Sequence, residues 1–444
     1  MIVPAGVYRN RELSLLILAL LTGGGALTLV ALARDAEQVS VAYPLVAMVA
    51  LAYVAAHIVV RRFAPHADSL ILPIAALLNA LGLAAIYRLN PDRYGPTQIT
   101  WTLIGLAVFA ATLIVVRDYR ALARYKYLFG FVGVALLLLP MAPGIGREIN
   151  GAQLWVGAGG FSFQPGELAK VFFVIFFAAY LAERKELLAI ASRRFLGLHI
   201  PDLKHFGPLL VMWGLSLAVM FYEKDLGSSM LFFSMFLLML YVATARFIYT
   251  AFGGVLFAVG AYIGYMRFDH VQDRVQVWLN VFDPKLINDE GYQLAQSLFA
   301  LSTGGLFGTG FGQGRPDLIP AAHTNFVFSV LGEELGLLGT AAILLGFLLL
   351  IARGLRIAVR ARDDFGQLLA MGLTTITAIQ TFVILGGVTG LLPLTGITLP
   401  FMSYGGSSIL ANFILIALLL RISDRTTGEP PPAHTAEILI GGRR

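Results

Sequence analysis

Glu167 and Lys170 stand at the head of a long apolar run, in Phe163-Gln164-Pro165-Gly166-Glu167-Leu168-Ala169-Lys170. Residues spaced i, i+3 lie on one helix face, and Pro165 suits a first helical turn. Gln164 belongs to the same row, so an amide, a carboxylate and an ammonium are expected near one face. Charges at membrane depth are costly unless paired or wet, which makes them functional candidates. A structural ion pair, with Glu167 favoured by the helix N-terminus, is the equally open alternative. A second charged string, Glu223-Lys224-Asp225-Leu226-Gly227, forms a hinge between two apolar runs. On residue types alone Asp225 reads best as a helix N-cap.

The largest concentration of polar groups is 267–325. It carries Asp269, His270, Asp273, Arg274, Asp283, Lys285, Asp289, Glu290, Arg315, Asp317 and His323, and seven of the 47 glycines fall between Gly291 and Gly314. A long polar connection in an apolar chain is where chemistry is expected. The run Gly308-Thr309-Gly310-Phe311-Gly312-Gln313-Gly314 could cradle a phosphate through its amides. It lacks the Lys-Ser/Thr ending of a P-loop and no strand precedes it, so a re-entrant loop is the better reading. A lone histidine such as His323 is more often structural than a metal ligand. Glu333 and Glu334, inside an apolar run, serve as internal struts as readily as ligands. Between Leu392 and Ser408, two prolines and the string Ser403-Tyr404-Gly405-Gly406-Ser407-Ser408 make a kink. Its hydroxyls are available to freed backbone groups or to a substrate.

These groups must be positioned by membrane helices. Hydrophobic residues make up 58% of the 444 residues and charged ones 13%, with a mean hydropathy of +0.78. No water-soluble domain solvates such a surface, so the class is all-α, polytopic and membrane-embedded. Cysteine is absent, which excludes disulfides and Cys-ligated metals. The net charge of +6 is spread over short loops, which argues against nucleic acid as a partner. Arg9, Arg11 and Ala31-Leu32-Ala33 have features of a cleavable signal, but the apolar run between them is too long and fits a retained span.

About twelve spans are expected, near 13–33, 41–60, 69–87, 99–116, 127–142, 166–183, 206–222, 226–244, 247–266, 326–352, 367–391 and 403–421. With both termini cytoplasmic, most of the 32 lysines and arginines fall on the inside, as in the Arg117–Lys126 and Arg353–Arg362 clusters. That orientation puts 143–165, 223–225, 267–325 and 392–402 outside. The tail from Ser423, with Pro430-Pro431-Pro432, reads as a short disordered extension. No internal repeat is evident, which weakens a transporter of inverted halves.

In order along the chain, Gly151-Ala152-x-x-Trp155, Phe163-Gln164-Pro165-x-Glu167-x-Ala169-Lys170, Asp225-Leu226-Gly227, Gly291-Tyr292-Gln293-x-x-Gln296-Ser297, His323-Thr324-x-Phe326 and the Leu392–Ser408 string are similar to the SEDS family (shape, elongation, division and sporulation). RodA, FtsW and SpoVE are members. The resemblance covers about 120–430. It implies a ten-helix core at 67–422, two extra N-terminal helices in 1–66 and a tail at 423–444. It further implies a plasma-membrane peptidoglycan polymerase that joins lipid II units at the outer face. In that reaction a GlcNAc 4-hydroxyl attacks C1 of the donor MurNAc with inversion, and pyrophosphate-linked lipid leaves. By motif position Glu167, Lys170 and Asp225 line a polar cavity with Trp155 near it, and Lys170 is matched to pyrophosphate or carboxylate. Gln164, Tyr292, Gln293, Gln296, His323, Thr324, Ser403 and Tyr404 are the implied substrate contacts. The implied partners are lipid II, the nascent glycan, membrane lipids and a class B penicillin-binding transpeptidase. No metal site is expected from the residues, and a divalent cation at the pyrophosphate stays open as a cofactor.

The departure is Asn325. The family string is His-Thr-Asp-Phe, and its essential aspartate falls where this chain has an amide, which cannot accept a proton near pH 7. Three explanations stand open. An inactivating substitution replaces a natural aspartate; or asparagine is native and Asp225, Asp289 or Glu290 is the base; or the chain scaffolds a synthesis complex without catalysis. Smaller departures are Lys224, Leu154 and Gly166. A lipid-precursor flippase is the alternative function, and it predicts midplane charges with two-sided access. The clustering of polar groups toward outer helix ends favours the enzyme.

Overall fold

The computed structural model describes residues 5–34, 36–149, 152–158, 161–189, 193–195, 198–200, 214 and 225–428. Among these, eleven helices are long and apolar enough to cross a membrane. They are α1 (Ala5–Arg34), α2 (Ala36–Phe63), α3 (Ile71–Leu89), α4 (Tyr94–Val115), α5 (Lys126–Leu138, with a flanking 3-10 turn at each end), α6 (Pro165–Ala189), α7 (Leu226–Thr244) and α8 (Phe247–Arg267). After two shorter helices, α9 (Asp269–Leu279) and α10 (Tyr292–Gly304), come α11 (Val327–Arg360), α12 (Asp364–Val388) and α13 (Gly406–Gly428). Each expected span finds its helix except 206–222, which apart from residue 214 lies outside the described residues. The last helix runs to Gly428, past the boundary expected at 422.

Burial sorts the helices. α3, α6, α12 and α13 are enclosed along most of their length, whereas α8 is nearly all rim. Outward surfaces carry large apolar side chains such as Leu18, Leu21, Phe252 and Tyr262, which is favourable only against lipid. Several polar residues inside are paired. Asn79 on α3 accepts from the Tyr53 hydroxyl at 3.0 Å and donates to the Phe401 carbonyl at 3.1 Å, tying α2 and α3 to the chain before α13.

Two parts of the polar connections are more ordered than expected. In 143–165 the chain forms an antiparallel sheet of β1 (Gly146–Ile149), β2 (Ala152–Ala158) and β3 (Phe161–Phe163), in the order β1-β2-β3. In 267–325, α9 and α10 bracket the turns that carry Asp283 to Gly291.

The glycine-rich run has a structural task. α11 is broken at Gly336, whose φ of 67° is left-handed. Such a break frees backbone groups that lipid cannot satisfy. The run supplies them: Thr309 and Gly310 donate to the carbonyls of Glu333 and Glu334 at 2.9 and 3.0 Å, and Leu337 donates to Gly305 at 2.9 Å. A Cβ at Gly336 would sit 2.3 Å from the Gly308 nitrogen, so only glycine allows the approach. Glu333 and Glu334 act here as struts. Glu333 accepts from the Arg315 amide at 3.0 Å, and Glu334 lies 3.4 Å from Arg88.

Candidate functional site

Pro165 opens α6, and the i, i+3 spacing brings Lys170 Nζ to 2.8 Å from Glu167 Oε2. The two residues are only 4% and 5% exposed. Lys170 also donates to Gln380 Oε1 of α12 at 3.1 Å, and Gln380 Nε2 donates to the Thr398 carbonyl at 2.7 Å. The Thr398 hydroxyl continues to Ser408 Oγ at 2.8 Å, to which Asn412 donates at 3.2 Å. Gln164 joins through its backbone, which donates to Ser407 Oγ at 2.7 Å. A buried polar chain thus runs through α6, α12, the 392–402 segment and α13. Fully partnered networks of this kind fix one arrangement of their helices.

At the same end of the bundle, Asp225 caps α7 by accepting from the Ser228 amide at 3.0 Å. Its charge also reaches Arg274 on α9. Burial pushes the Arg274 pKa down and Asp225 opposes that shift. Arg274 donates to the Thr395 carbonyl at 3.2 Å. It faces a cleft of about 190 Å³ whose other walls include Asp273, Glu290, Gln293, Leu394 and Asn325. Two carboxylates, a guanidinium and two amides therefore share one space. Among the described residues, no group of three or more His, Asp or Glu side chains could hold a metal ion.

His323, two residues before Asn325, packs against Tyr404 and Tyr94. The His323 ring stacks on Tyr94 with centroids 4.2 Å apart and meets Tyr404 edge-on at 5.5 Å, while its carbonyl accepts from the Tyr404 amide at 2.8 Å. Burial first, and then Arg93, lower its pKa below the usual histidine value. This fits the structural reading of that histidine.

Of the residues expected from sequence, Asn325 and Gln293 line the cleft. Glu167, Lys170 and Asp225 do not; the first two belong to the buried network and the third caps α7. The Ser403 hydroxyl accepts from the Leu399 amide at 2.9 Å and is buried. The Thr324 hydroxyl donates to the Ala321 carbonyl at 3.1 Å. Trp155 lies on β2 opposite Arg147, half-buried, and Tyr292 and Gln296 sit on α10 outside the cleft lining. Asp289 is also outside the lining, whereas Glu290 is in it. Glu223 and Lys224 are outside the described residues. Sequence reasoning named Arg274 without giving it a role, and missed Gln380 and Gln98, the latter donating to the Ser403 carbonyl at 3.0 Å and accepting from the Gly405 amide at 3.2 Å. Gln380 and Gln98 carried a signal, since each is an amide within an apolar run.

A multi-pass helical membrane protein with a polar cleft at one end of the bundle is the class these features define. Residues 68–428 match the FtsW, RodA and SpoVE family of cell cycle proteins, and the chain belongs to that family. It is 46% identical over 435 residues to the peptidoglycan glycosyltransferase RodA of Mycobacterium tuberculosis, covering 95% of this chain and 91% of that protein. Identity is 34% to a probable peptidoglycan glycosyltransferase FtsW of Geobacter metallireducens, covering 82% and 96%. A solved peptidoglycan synthase complex, described as coordinating polymerization and crosslinking, contains a chain similar at a TM-score of 0.64 and 25% identity. That match covers 81% of this chain and 98% of the other. The family match begins at residue 68, so α1 and α2 precede it, while the mycobacterial relative aligns over nearly the whole chain.

Proposed function

We propose that this chain is a peptidoglycan glycosyltransferase that polymerises lipid II at the outer face of a bacterial plasma membrane, with both termini cytoplasmic. The observation that carries the reading is the cleft in which Arg274, Glu290 and Asn325 meet, lined also by Leu394 and Gly396 of the segment that the buried network holds at Thr398. The names of the relatives support the activity.

The acceptor 4-hydroxyl gives its proton to the Glu290 carboxylate as its oxygen bonds to C1 of the donor MurNAc. The C1–O bond to pyrophosphate breaks on the opposite side, which inverts the anomeric centre. Arg274 stabilises the negative charge that gathers on the leaving group. Asn325 cannot take the proton but can hydrogen-bond the acceptor hydroxyl and orient it. Of the three substitute bases weighed from sequence, Asp225 is engaged as a cap and Asp289 lies outside the cleft, which leaves Glu290. The resemblance to a chain of a synthase complex supports a class B penicillin-binding transpeptidase as partner.

Fluorescent lipid II with the purified chain tests this. The expected result is glycan polymer from the unmodified chain and from Asp273→Asn. Glu290→Gln should lose about 10²–10⁴-fold in rate, the usual contribution of a general base. Polymer from Glu290→Gln at full rate would exclude that carboxylate as the base. Product only after Asn325→Asp would mean that the chain is an inactivated polymerase.

A further inference from the structure

The glycine-rich run that completes the break in α11 is itself held by α1 and α3. Arg88, near the end of α3, donates to the Gly314 carbonyl at 3.0 Å and lies 3.4 Å from Glu334. One guanidinium thus pins both the end of the run and the helix that the run completes. The Arg88 carbonyl in turn accepts from Arg34 at the end of α1. α1 also packs against the run directly. Gly312 has a left-handed φ of 77°, and a Cβ there would sit 2.4 Å from the Ala33 Cβ. Tyr87, beside Arg88, donates to Gln38 of α2 at 3.3 Å. Ala33, Arg34 and Gln38 belong to the two helices ahead of the family match. Beyond Gly314 the chain reaches Asn325 through a segment fixed at both ends. The Arg315 amide donates to Glu333 at 3.0 Å, and the His323 carbonyl accepts from the Tyr404 amide at 2.8 Å. Ile319 and Ala322, between those points, are buried.

We propose that Arg88 is a positioning residue for the reaction: by pinning Gly314 it fixes the 315–325 segment, and with it Asn325 in the cleft. The inference rests on the glycosyltransferase reading above, in which Asn325 orients the acceptor hydroxyl. Arg88 does not line the cleft and acts only through the chain it holds. A guanidinium suits the task, because its planar fork keeps two acceptors, the Gly314 carbonyl and the Glu334 carboxylate, in one fixed relation. Irregular backbone at membrane depth depends on such partners. α1 backs the fork through Arg34 on the Arg88 carbonyl and Ala33 on Gly312. The added helices therefore contribute to the geometry of the cleft without reaching it.

The test compares Glu334→Gln with Arg88→Met/Glu334→Gln in the full chain in nanodiscs. Arg88→Met alone would strand the Glu334 carboxylate, which is 2% exposed, and so confuse positioning with folding. Glu334→Gln keeps the bond from Arg88 to Gly314, and the double variant removes it without leaving a buried charge behind. Hydrogen exchange across 315–325 should rise about tenfold in the double variant and stay unchanged in Glu334→Gln, as for the loss of one charge-assisted hydrogen bond. With fluorescent lipid II, kcat per folded molecule should fall in the double variant by up to about 10²-fold at unchanged KM, the effect of misplacing an orienting group by about 1 Å. If only the Asn325→Asp background makes polymer, the two variants are compared in that background. A chain inactive in both backgrounds refutes the glycosyltransferase reading, and the exchange comparison then decides alone whether Arg88 fixes the segment. Equal exchange in the two variants, or faster exchange in the double variant with kcat unmoved, overturns the proposal.

Discussion

Replacing Lys170 with Met tests whether the buried network is a support or a participant. At 2.8 Å, two unit charges in an effective dielectric of about 20 attract by about 6 kcal/mol. Desolvating them costs several kcal/mol per ion, so the intact pair contributes little net stability. The balance changes when one partner goes. Glu167 is 5% exposed and would be left as an uncompensated carboxylate, a loss of about 3–5 kcal/mol. Lys170→Met should therefore lower the melting temperature sharply in detergent. The double variant Glu167→Leu/Lys170→Met removes both charges and should regain most of the loss. Lipid II polymerisation per folded molecule is measured on the same samples. A double variant that is stable but inactive assigns Lys170 or Glu167 a part in the reaction. A stable and active one makes the pair purely structural. If the double variant is no more stable than Lys170→Met, the stranded-charge argument is wrong.

Other perturbations probe the cleft and its frame. Arg274→Gln removes the guanidinium from the cleft and its bond to Thr395. It should cost about 10²–10³-fold in polymerisation rate, as for a lost transition-state donor, and lower the melting temperature through the loss of one backbone partner, about 1–3 kcal/mol. Gly336→Ala forces a side chain into a left-handed conformation and against Gly308. Strain alone should destabilise by about 1–3 kcal/mol, visible as an earlier thermal transition. His323 is held below its ordinary value of 6.5. As pH falls through that value the unfolded chain takes up a proton that the folded chain refuses, so this contribution is complete above it and is lost on acidification. Melting temperature should fall from pH 7.5 toward pH 5.5, and His323→Phe should flatten the slope.

Most of the helical frame was legible because each span declares itself in a run of apolar residues that needs no partner to be recognised. The start of α6 at Pro165 and the cap at Asp225 were readable for the same reason, being local chemistry. The cleft was only half legible. Asn325 and Glu290 stood out by type, but nothing in the sequence brings Arg274 to Thr395, which lie far apart in the chain and meet only through tertiary packing. Gly336 was equally hidden. A single glycine in an apolar run gives no sign that it breaks α11, or that Thr309 and Gly310 will complete the break.

The 392–402 segment explains why supports and cleft form one system. Irregular backbone at membrane depth persists only where side chains satisfy it. Here Arg274 holds the Thr395 carbonyl, Gln380 holds that of Thr398 and Asn79 holds that of Phe401. These three donors come from α9, α12 and α3. The segment also carries strain, since Phe401 has a φ of 64° without being glycine. Leu394 and Gly396 of the same stretch line the cleft. Lys170, Gln380, Thr398 and then Thr395 thus make a physical path from the buried ion pair to the guanidinium beside Asn325. Loosening the pair should be felt in the cleft as misplacement of Arg274. On this path Lys170 would influence the reaction without touching substrate, and a stable but inactive Glu167→Leu/Lys170→Met variant is the outcome that shows it.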